Sequence, residues 1–571
     1  MKIAGFNITR ITDAHIDDGA TALLEDGHVT VALAEERANR KKHSGGFVQS
    51  LYYCLHSRNF CINDLDYVVI SNCADEPLTI PVASLRLREQ GVYIPENKII
   101  INPSHHLSHA ASSFYSSPFD EAIVIVCDNE GNIIGERKHP QFWLNHVERT
   151  SIYVANDRGL HLLARFGAGE NEISIGAAYN YFTRWLGLKK YHEAGQVMAL
   201  APFGTGKFSD IEIFRWQDNT LRCLMIQNQK NKPESVRDIF QRQAGIDIGS
   251  ERPECNDPDD MQRELAWLIQ NESEAALLSL VEFAIRQTGI RRFCLAGGVF
   301  LNCVANTKIA EHADVSDIYV QPAAGDIGQA IGNVLWAYHS VLKKPRTWSM
   351  ESCSFGRSYA QEEIEFALSE LSESITYEKS PSIESDAARL LASGAIIGWF
   401  TGGSEYGPRA LGRRSILGDP RQIETKQRLD QSIKLRAWFR PYAPSVIEES
   451  IAEWFEVSQE FMQKTSYPLQ FMLIAPKFKE NKRHLVPSVV HVDGSARLHA
   501  VHQSENPRFH RLISEFARLT GVPMVLNTSF NKAGEPIVET PKEALRSFLH
   551  MGLDHLIIED YLIHRRVSDT V

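Results

Sequence analysis

Residues 103–132 read PSHHLSHAASSFYSSPFDEAIVIVCDNEGN, two histidines four residues apart followed by a run of apolar β-formers that ends on an aspartate. His105 and His109 have helical i, i+4 spacing, so both rings can project from one face toward one point, as in two-histidine metal sites. A helix N-terminus that merely carries polar residues accounts for the same spacing. The following run, Ala122 to Cys127, is continuously apolar, as buried parallel strands are. It stops at Asp128, the kind of strand end where open α/β sheets collect their ligands. Helix, buried strand and terminal carboxylate together predict an α/β fold with a ligand or metal site at the strand end.

Outward from this stretch, strand-like runs alternate with longer helical ones, which favours α/β architecture over bundles or sandwiches. The start, KIAGFNI, reads as a strand, and DDGATALLEDGHVTVALAEER reads as strand, Asp26-Gly27 turn, strand. RRFCLAGGVFLNCVAN is a short apolar strand running into Gly297-Gly298 and a helical segment, where backbone N–H groups at a helix start can meet phosphate. IYVQPAAGDIGQAIGNVLWA repeats the arrangement with Asp326 in its loop and Gly328 and Gly332 in its helix. Those glycines permit close approach of a ligand or simply tight helix packing. The segment from Phe203 to about Asp260 is polar and irregular, an expected surface excursion. No short-period repeat is present.

With 571 residues the chain is too long for one core. The linker HSVLKKPRTWSMESCSFGRSY precedes a fresh amphipathic pattern at AQEEIEFALSEL, which puts a boundary near residue 350 and domains at 1–350 and 351–571. Sixty Lys and Arg against 71 Asp and Glu give a formal charge of −11, which disfavours nucleic acid and acidic membranes as partners and favours small molecules. The nine cysteines form no CxxC pair and read as reduced thiols of a cytoplasmic protein. No signal peptide opens the sequence, and no apolar run approaches the roughly 18 residues of a membrane span.

Between Arg409 and Arg440 nine basic residues face three acidic ones, a local excess of six positive charges in an anionic chain. The run is interleaved with YGPRALG and WFRPYAP, whose Pro, Gly and aromatic residues imply fixed loops and rigid walls, a setting that suits polyphosphate. Downstream, VPMVLNTSFNKAGEPIV sets Asn527, Thr528, Ser529 and Asn531 directly after an apolar strand, where amides and hydroxyls orient ligands or simply terminate strands.

Six motifs in one order, HHLSHAASSFYSSPFDEA, AGGVFLNCVAN, GPRALGRRSIL, KLRAWFRPYAPSV, HVDGSAR and NTSFN, make the chain resemble the ATP-dependent O-carbamoyltransferases of the nodulation-factor, cephamycin and tobramycin type. The resemblance spans nearly the whole chain. It implies an N-terminal domain like the threonylcarbamoyl-transfer ATPases, of actin and sugar-kinase architecture, and an α+β C-terminal domain similar to threonylcarbamoyl-adenylate synthases. In such enzymes the C-terminal domain makes carbamoyl adenylate from carbamoyl phosphate and ATP. The N-terminal domain then moves the carbamoyl group to a hydroxyl of a small natural-product or sugar acceptor.

By the same resemblance the metal ligands fall on His105, His109, Asp128 and Asp326, a mixed nitrogen and oxygen set that suits iron(II), manganese or zinc. Gly297, Gly298 and Asn302 are expected to hold the adenylate in the N-terminal domain. Arg409, Arg414, Lys434, Arg440, Ser529 and Asn531 are expected to hold ATP, with its magnesium, and carbamoyl phosphate in the C-terminal domain. The proton acceptor matches His15, but residues inserted before the next strand leave Asp17 and Asp18 as alternatives. EERANRKKH corresponds to a stretch near the acceptor site, where Arg40 and Lys42 either contact substrate or cap a helix. Gln196 stands where a lysine is common. Transfer to a macromolecule, tRNA or protein, and a non-catalytic nucleotide and metal sensor are the competing readings. A homodimer is the default oligomeric expectation.

Overall fold

The computed structural model describes residues 1–8, 18–73, 78–135, 146–168, 172–188, 193–225, 235–253 and 257–566. Two compact units result, one of Met1–Glu35 with Ser44–Met350, the other of Glu36–His43 with Glu351–Val571. The eight residues Glu36–His43 therefore fold with the second half of the chain although they lie deep in the first.

The first unit contains one topology twice. Strands β1 (Lys2–Asn7), β2 (Ala20–Glu25) and β3 (His28–Ala34) form an antiparallel meander, and β4 (Tyr67–Ser71) and β5 (Ile99–Ile101) add in parallel on the other side of β1. The order is β3-β2-β1-β4-β5. The turn between β2 and β3 uses left-handed φ at Asp26 (48°) and Gly27 (91°), the conformation that an Asp-Gly hairpin turn requires. The second sheet repeats the pattern with β6 (Ala122–Cys127), β7 (Thr150–Asn156) and β8 (Gly159–Phe166) as meander. After the hairpin β9 (Phe214–Gln217) and β10 (Thr220–Cys223), the parallel strands β11 (Arg292–Ala296) and β12 (Asp317–Val320) complete the order β12-β11-β6-β7-β8. This paired three-plus-two strand plan is the one expected of an actin and sugar-kinase architecture.

Helix α1 (His105–Phe114) packs on β6 and β11, α2 (Asp260–Thr288) and α3 (Cys303–Glu311) pack on each other, and α4 (Gly328–Trp336) packs on β1 and β2. α1 and α4 touch at backbone distance: a Cβ at Gly332 would lie 1.8 Å from Ser108 O. A Cβ at Gly328 would lie 2.1 Å from Ala323 O. Both glycines thus serve close packing, the plainer of their two readings. The 203–260 segment is less irregular than its composition suggests, since it holds the β9–β10 hairpin and a helix, Val236–Ala244.

The second unit is α+β, built on one mixed sheet. Its strands are β13 (Ile375–Lys379), β14 (Ile397–Phe400), β15 (Arg414–Gly418), β16 (Ala443–Ile447), β17 (His499–Val501), β18 (Met524–Ser529), β19 (His555–Ile558) and β20 (Tyr561–Arg565). They lie in the order β13-β20-β19-β14-β15-β18-β16-β17, with β15 and β18 antiparallel neighbours in the middle. Among the described residues no helix is long and apolar enough to cross a membrane.

Candidate metal centre and candidate anion pocket

Ser104 starts α1 by capping it, its hydroxyl accepting from Leu107 N at 3.0 Å. The next two amides find side-chain acceptors as well: His105 N donates to Asn132 Oδ1 (2.7 Å) and His106 N to Glu148 Oε2 (3.1 Å). These bonds fix the helix start, so His105 and His109 project from one face with ring centroids 4.7 Å apart. β6 and β11 run in parallel beneath them, so Asp128 and Gly297 emerge at the same sheet edge, and the turn after β12 brings Asp326 there.

The two Nε2 atoms lie 3.1 Å apart. Asp128 Oδ2 is 3.6 Å from His105 Nε2 and 3.2 Å from His109 Nε2, and Asp326 Oδ1 is 3.4 Å from each. Four ligand atoms around one ion at about 2.0–2.2 Å have adjacent separations of about 2.9–3.6 Å, so these edges are those of a coordination shell. Among the described residues Asp128 Oδ2 has no hydrogen-bond partner of proper geometry despite its short contacts, and neither ligand histidine has a partner at Nδ1. Four such atoms converging at these distances, one of them without an aligned donor, fit a shared cation. Both histidines are fully buried.

Electrostatics favour positive charge at this point. Burial alone would depress His109, yet its contacts with Asp128 and Asp326 outweigh that and raise it to about 9. Burial would raise Asp128, but His105 and His109 hold it well below the ordinary carboxylate value. His106, one position along the helix, behaves oppositely: burial lowers it to about 3, and its Nδ1 pairs with Ser151 Oγ at 2.8 Å.

Gly297 and Gly298 border this centre. Gly297 takes φ +95°, and a Cβ there would lie 2.2 Å from Cys127 O. A Cβ at Gly298 would come within 3.2 Å of Asp128 Oδ1. Asn302 caps α3 through Ala305 N (3.0 Å), and its amide exchanges hydrogen bonds with Gln270 at 2.9 and 3.2 Å. Three residues that the sequence reading passed over orient the centre. Gln329 Nε2 donates to Asp326 Oδ1 (3.3 Å) while its Oε1 accepts from Ser71 and Ser108 hydroxyls (3.1 Å each). Glu148 and Asn132 hold the helix start as described. Gln329 follows Asp326 by three residues at a helix start, a local signal that was available. His15 and Asp17 lie outside the described residues, Asp18 is the first described residue after them, and Gln196 is half-buried on the helix Ala194–Leu200.

In the second unit Lys434 is 7% exposed and points its Nζ into the strand end of β18. It donates to Ser529 O (2.8 Å), Asn531 O (2.8 Å), Asn531 Oδ1 (3.0 Å) and Ser529 Oγ (3.3 Å). Ser529 and Asn531 are themselves joined at 2.5 Å, and Asn531 Nδ2 reaches Glu535 O at 2.7 Å. Burial, with Arg436, Lys42 and Arg440 nearby, pushes the Lys434 ammonium well below its ordinary value. Arg414, fully buried at the start of β15, lies 3.5 Å above the Phe400 ring and donates its Nη1 to Thr401 O (3.0 Å). Among the described residues its Nε and Nη2 have no partner, an edge of two parallel donors suited to a phosphate or carboxylate. Glu405 shapes the preceding loop, its Oε1 accepting from Leu411 N (2.7 Å), Arg413 N (2.8 Å) and Arg414 N (3.2 Å). Arg409 sits on that loop and Arg440 on the one before β16.

The basic run is not one pocket. Arg421 pairs with Asp419 (2.6 Å), Lys426 with Asp430 (2.6 Å), Arg428 with Asp554 (2.7 Å) and Arg413 with Glu505 (3.4 Å). Several of the nine charges are thus neutralised by carboxylates, two of them distant in sequence. Arg40 and Lys42 belong to this unit.

Comparison with known proteins adds the following. The family model described as "Carbamoyltransferase N-terminus" matches residues 7–80 and 83–335, and the one described as "Carbamoyltransferase C-terminus" matches residues 388–565. An uncharacterised protein of Synechocystis sp. is 31% identical over 96% of this chain and 95% of its own length. The nodulation protein NolNO of Sinorhizobium fredii is 32% identical over 98% of this chain and 81% of its own. The 3'-hydroxymethylcephem-O-carbamoyltransferase of Amycolatopsis lactamdurans is 28% identical over 66% and 65%.

Proposed function

The chain belongs to the carbamoyltransferase family, and on that premise we propose that it makes carbamoyl adenylate in its second unit and transfers the carbamoyl group to a hydroxyl of a small metabolite in its first. One observation supports this reading: each unit gathers its own set of chemical groups, His105, His109, Asp128 and Asp326, which could hold a cation, in one and the buried Arg414 and Lys434 in the other. The printed activity of the cephem relative, O-carbamoylation, supports a hydroxyl acceptor.

In the first half-reaction water attacks carbamoyl phosphate, and the bond between its carbamoyl oxygen and phosphorus breaks to leave carbamate and inorganic phosphate. A carbamate oxygen then bonds the α-phosphorus of ATP, which enters with magnesium, while the bond to the β-phosphate breaks and pyrophosphate leaves. Negative charge gathers on the phosphoryl oxygens, where the free edge of Arg414 supplies two aligned donors, and Arg409 and Arg440 add positive charge. Lys434 holds Ser529 and Asn531 in place at the strand end. In the second half-reaction the acceptor oxygen bonds the carbamoyl carbon, the bond to AMP breaks, and the hydroxyl proton goes to His15. A divalent ion held by His105, His109, Asp128 and Asp326, iron(II) by preference or manganese or zinc, would supply Lewis-acid stabilisation of charge on carbamoyl and phosphate oxygens. Gly297 and Gly298 leave room at Asp128 for the adenylate, and Asn302 shapes the adjoining turn.

The test is pyrophosphate release from ATP by the purified chain: release that requires carbamoyl phosphate is expected, and none under any metal condition sinks the reading. Two further outcomes follow. His15→Asn should lower carbamoyl transfer from supplied adenylate by about 10²- to 10⁴-fold, the usual contribution of a general base, while pyrophosphate release persists. Unchanged transfer would move the base to Asp17 or Asp18. Polyphosphate should also raise the depressed Lys434 ammonium. Binding then takes up a proton, so ATP affinity falls as pH rises through the window below 10.5. Calorimetry in buffers of different ionisation enthalpy reads the uptake, and zero uptake between neutral pH and that limit contradicts it.

A further inference from the structure

The segment Glu36–His43 belongs to the second unit, although β3 before it and residues from Ser44 onward belong to the first. Its contacts fall on the two loops that frame the candidate anion pocket. Arg37 is 2% exposed and donates its Nη2 to Gly407 O at 2.9 Å, inside the loop that carries Arg409 and leads to Arg414. Arg40 donates its Nη1 to Ile537 O (2.7 Å) and its Nη2 to Pro536 O (2.9 Å), at the end of the loop that carries Asn531. Glu543 stands 3.3 Å from the same guanidinium.

The segment's own backbone is held under strain to do this. Arg40 (φ 61°) and His43 (φ 56°) both take the left-handed conformation, unusual outside glycine. Such a conformation persists only where surrounding contacts over-determine it. His43 N donates to Glu36 Oε2 at 2.8 Å and closes the segment on itself. Neither arginine is spent on a surface ion pair alone: Arg37 satisfies one backbone carbonyl and Arg40 two.

We propose that Glu36–His43 is a positioning brace for adenylate formation, with Arg37 fixing the Gly402–Gly412 loop and Arg40 fixing the Asn531–Ile537 loop. The inference rests on the reading of the second unit as the adenylate-forming one. Its consequence is that the activation half-reaction depends on residues encoded in the first domain of the sequence, so a fragment cut at residue 350 would lack part of its own machinery.

The experiment uses the full chain with Arg37→Ala, Arg37→Lys and Arg40→Gln. Hydrogen–deuterium exchange reads positioning without reference to the reaction: Arg37→Ala should speed exchange across 402–412, Arg40→Gln across 531–538, each without change in the first unit. Steady-state pyrophosphate release reads the consequence. A displacement of about 1 Å in a positioning group costs on the order of 10²-fold, so kcat should fall by that order with KM for ATP changed far less. Arg37→Lys and added methylguanidinium with Arg37→Ala should each restore part of it, which a general loss of structure would not allow. Exchange unchanged in both loops, exchange raised throughout the second unit, or loosened loops with wild-type pyrophosphate release would each overturn the proposal. A wild-type chain that releases no pyrophosphate would instead fail the adenylate reading, and the exchange result would still decide whether the brace exists.

Discussion

Replacing His109 by alanine is expected to remove the divalent ion, taking metal content from about one per chain to a small fraction of that, and to lower carbamoyl transfer by about 10³-fold or more. The second figure follows from the several kcal/mol that a Lewis acid contributes at about 1.4 kcal/mol per tenfold in rate. The first follows from geometry. His109 Nε2 lies within 3.1–3.4 Å of the ligand atoms of His105, Asp128 and Asp326, so its loss opens one vertex of the shell. It also leaves Asp128, whose low pKa depends on both ligand histidines, facing Asp326 across a buried space. The matched control is His106→Asn. That ring is as buried as its neighbours but points at Ser151, so its loss should cost stability and leave the ion in place. Elemental analysis of the two variants beside the unmodified chain checks both halves. Equal metal content in His109→Ala and the unmodified chain would refute the centre, and loss of metal from His106→Asn alone would place it elsewhere.

The meeting of His105, His109 and Asp128 was legible because its signals are local, an i, i+4 histidine pair and an apolar strand ending on Asp128, whereas Asp326 joined the set only through the family resemblance. Each motif names a strand or helix end, and a parallel sheet gathers such ends on one edge. The Asp26-Gly27 turn was legible for the same reason. The actin and sugar-kinase plan was expected only through the resemblance, because its duplicated sheet fills one strand order with unrelated sequences and leaves no repeat in the residues. What escaped the reading was long-range. Arg428 finds Asp554 at a separation of 126 residues and Arg413 finds Glu505 at 92, so the charge run looked more like a single pocket than it is. Glu36–His43 crosses to the other unit with no mark in composition. The β9–β10 hairpin is a different case: Asp218 and Asn219 take φ of 53° and 57°, and two turn-forming residues between β-formers could have announced it.

Lys434→Met is expected to lower pyrophosphate release by at least about 10³-fold while transfer from supplied carbamoyl adenylate continues at the wild-type rate. The sequence alone suggests a point charge on a phosphate, but the Nζ already faces four oxygens of Ser529 and Asn531, more acceptors than an ammonium has protons. Its larger effect is therefore on the loop after β18. Each buried acceptor left without a donor costs about 1–3 kcal/mol, and the two residues that lose their anchor are those expected to meet the substrate. A destabilisation of about 3 kcal/mol in a unit of this size lowers the melting temperature by roughly 6–12 °C, so assays belong well below that transition. Because Lys434 and Asn531 act through one contact, the double variant Lys434→Met with Asn531→Ala should lose far less than the product of the single losses. Multiplicative losses would mean that the ammonium and the amide work separately, with Lys434 touching the nucleotide directly. Wild-type pyrophosphate release in the single variant would remove Lys434 from the pocket altogether.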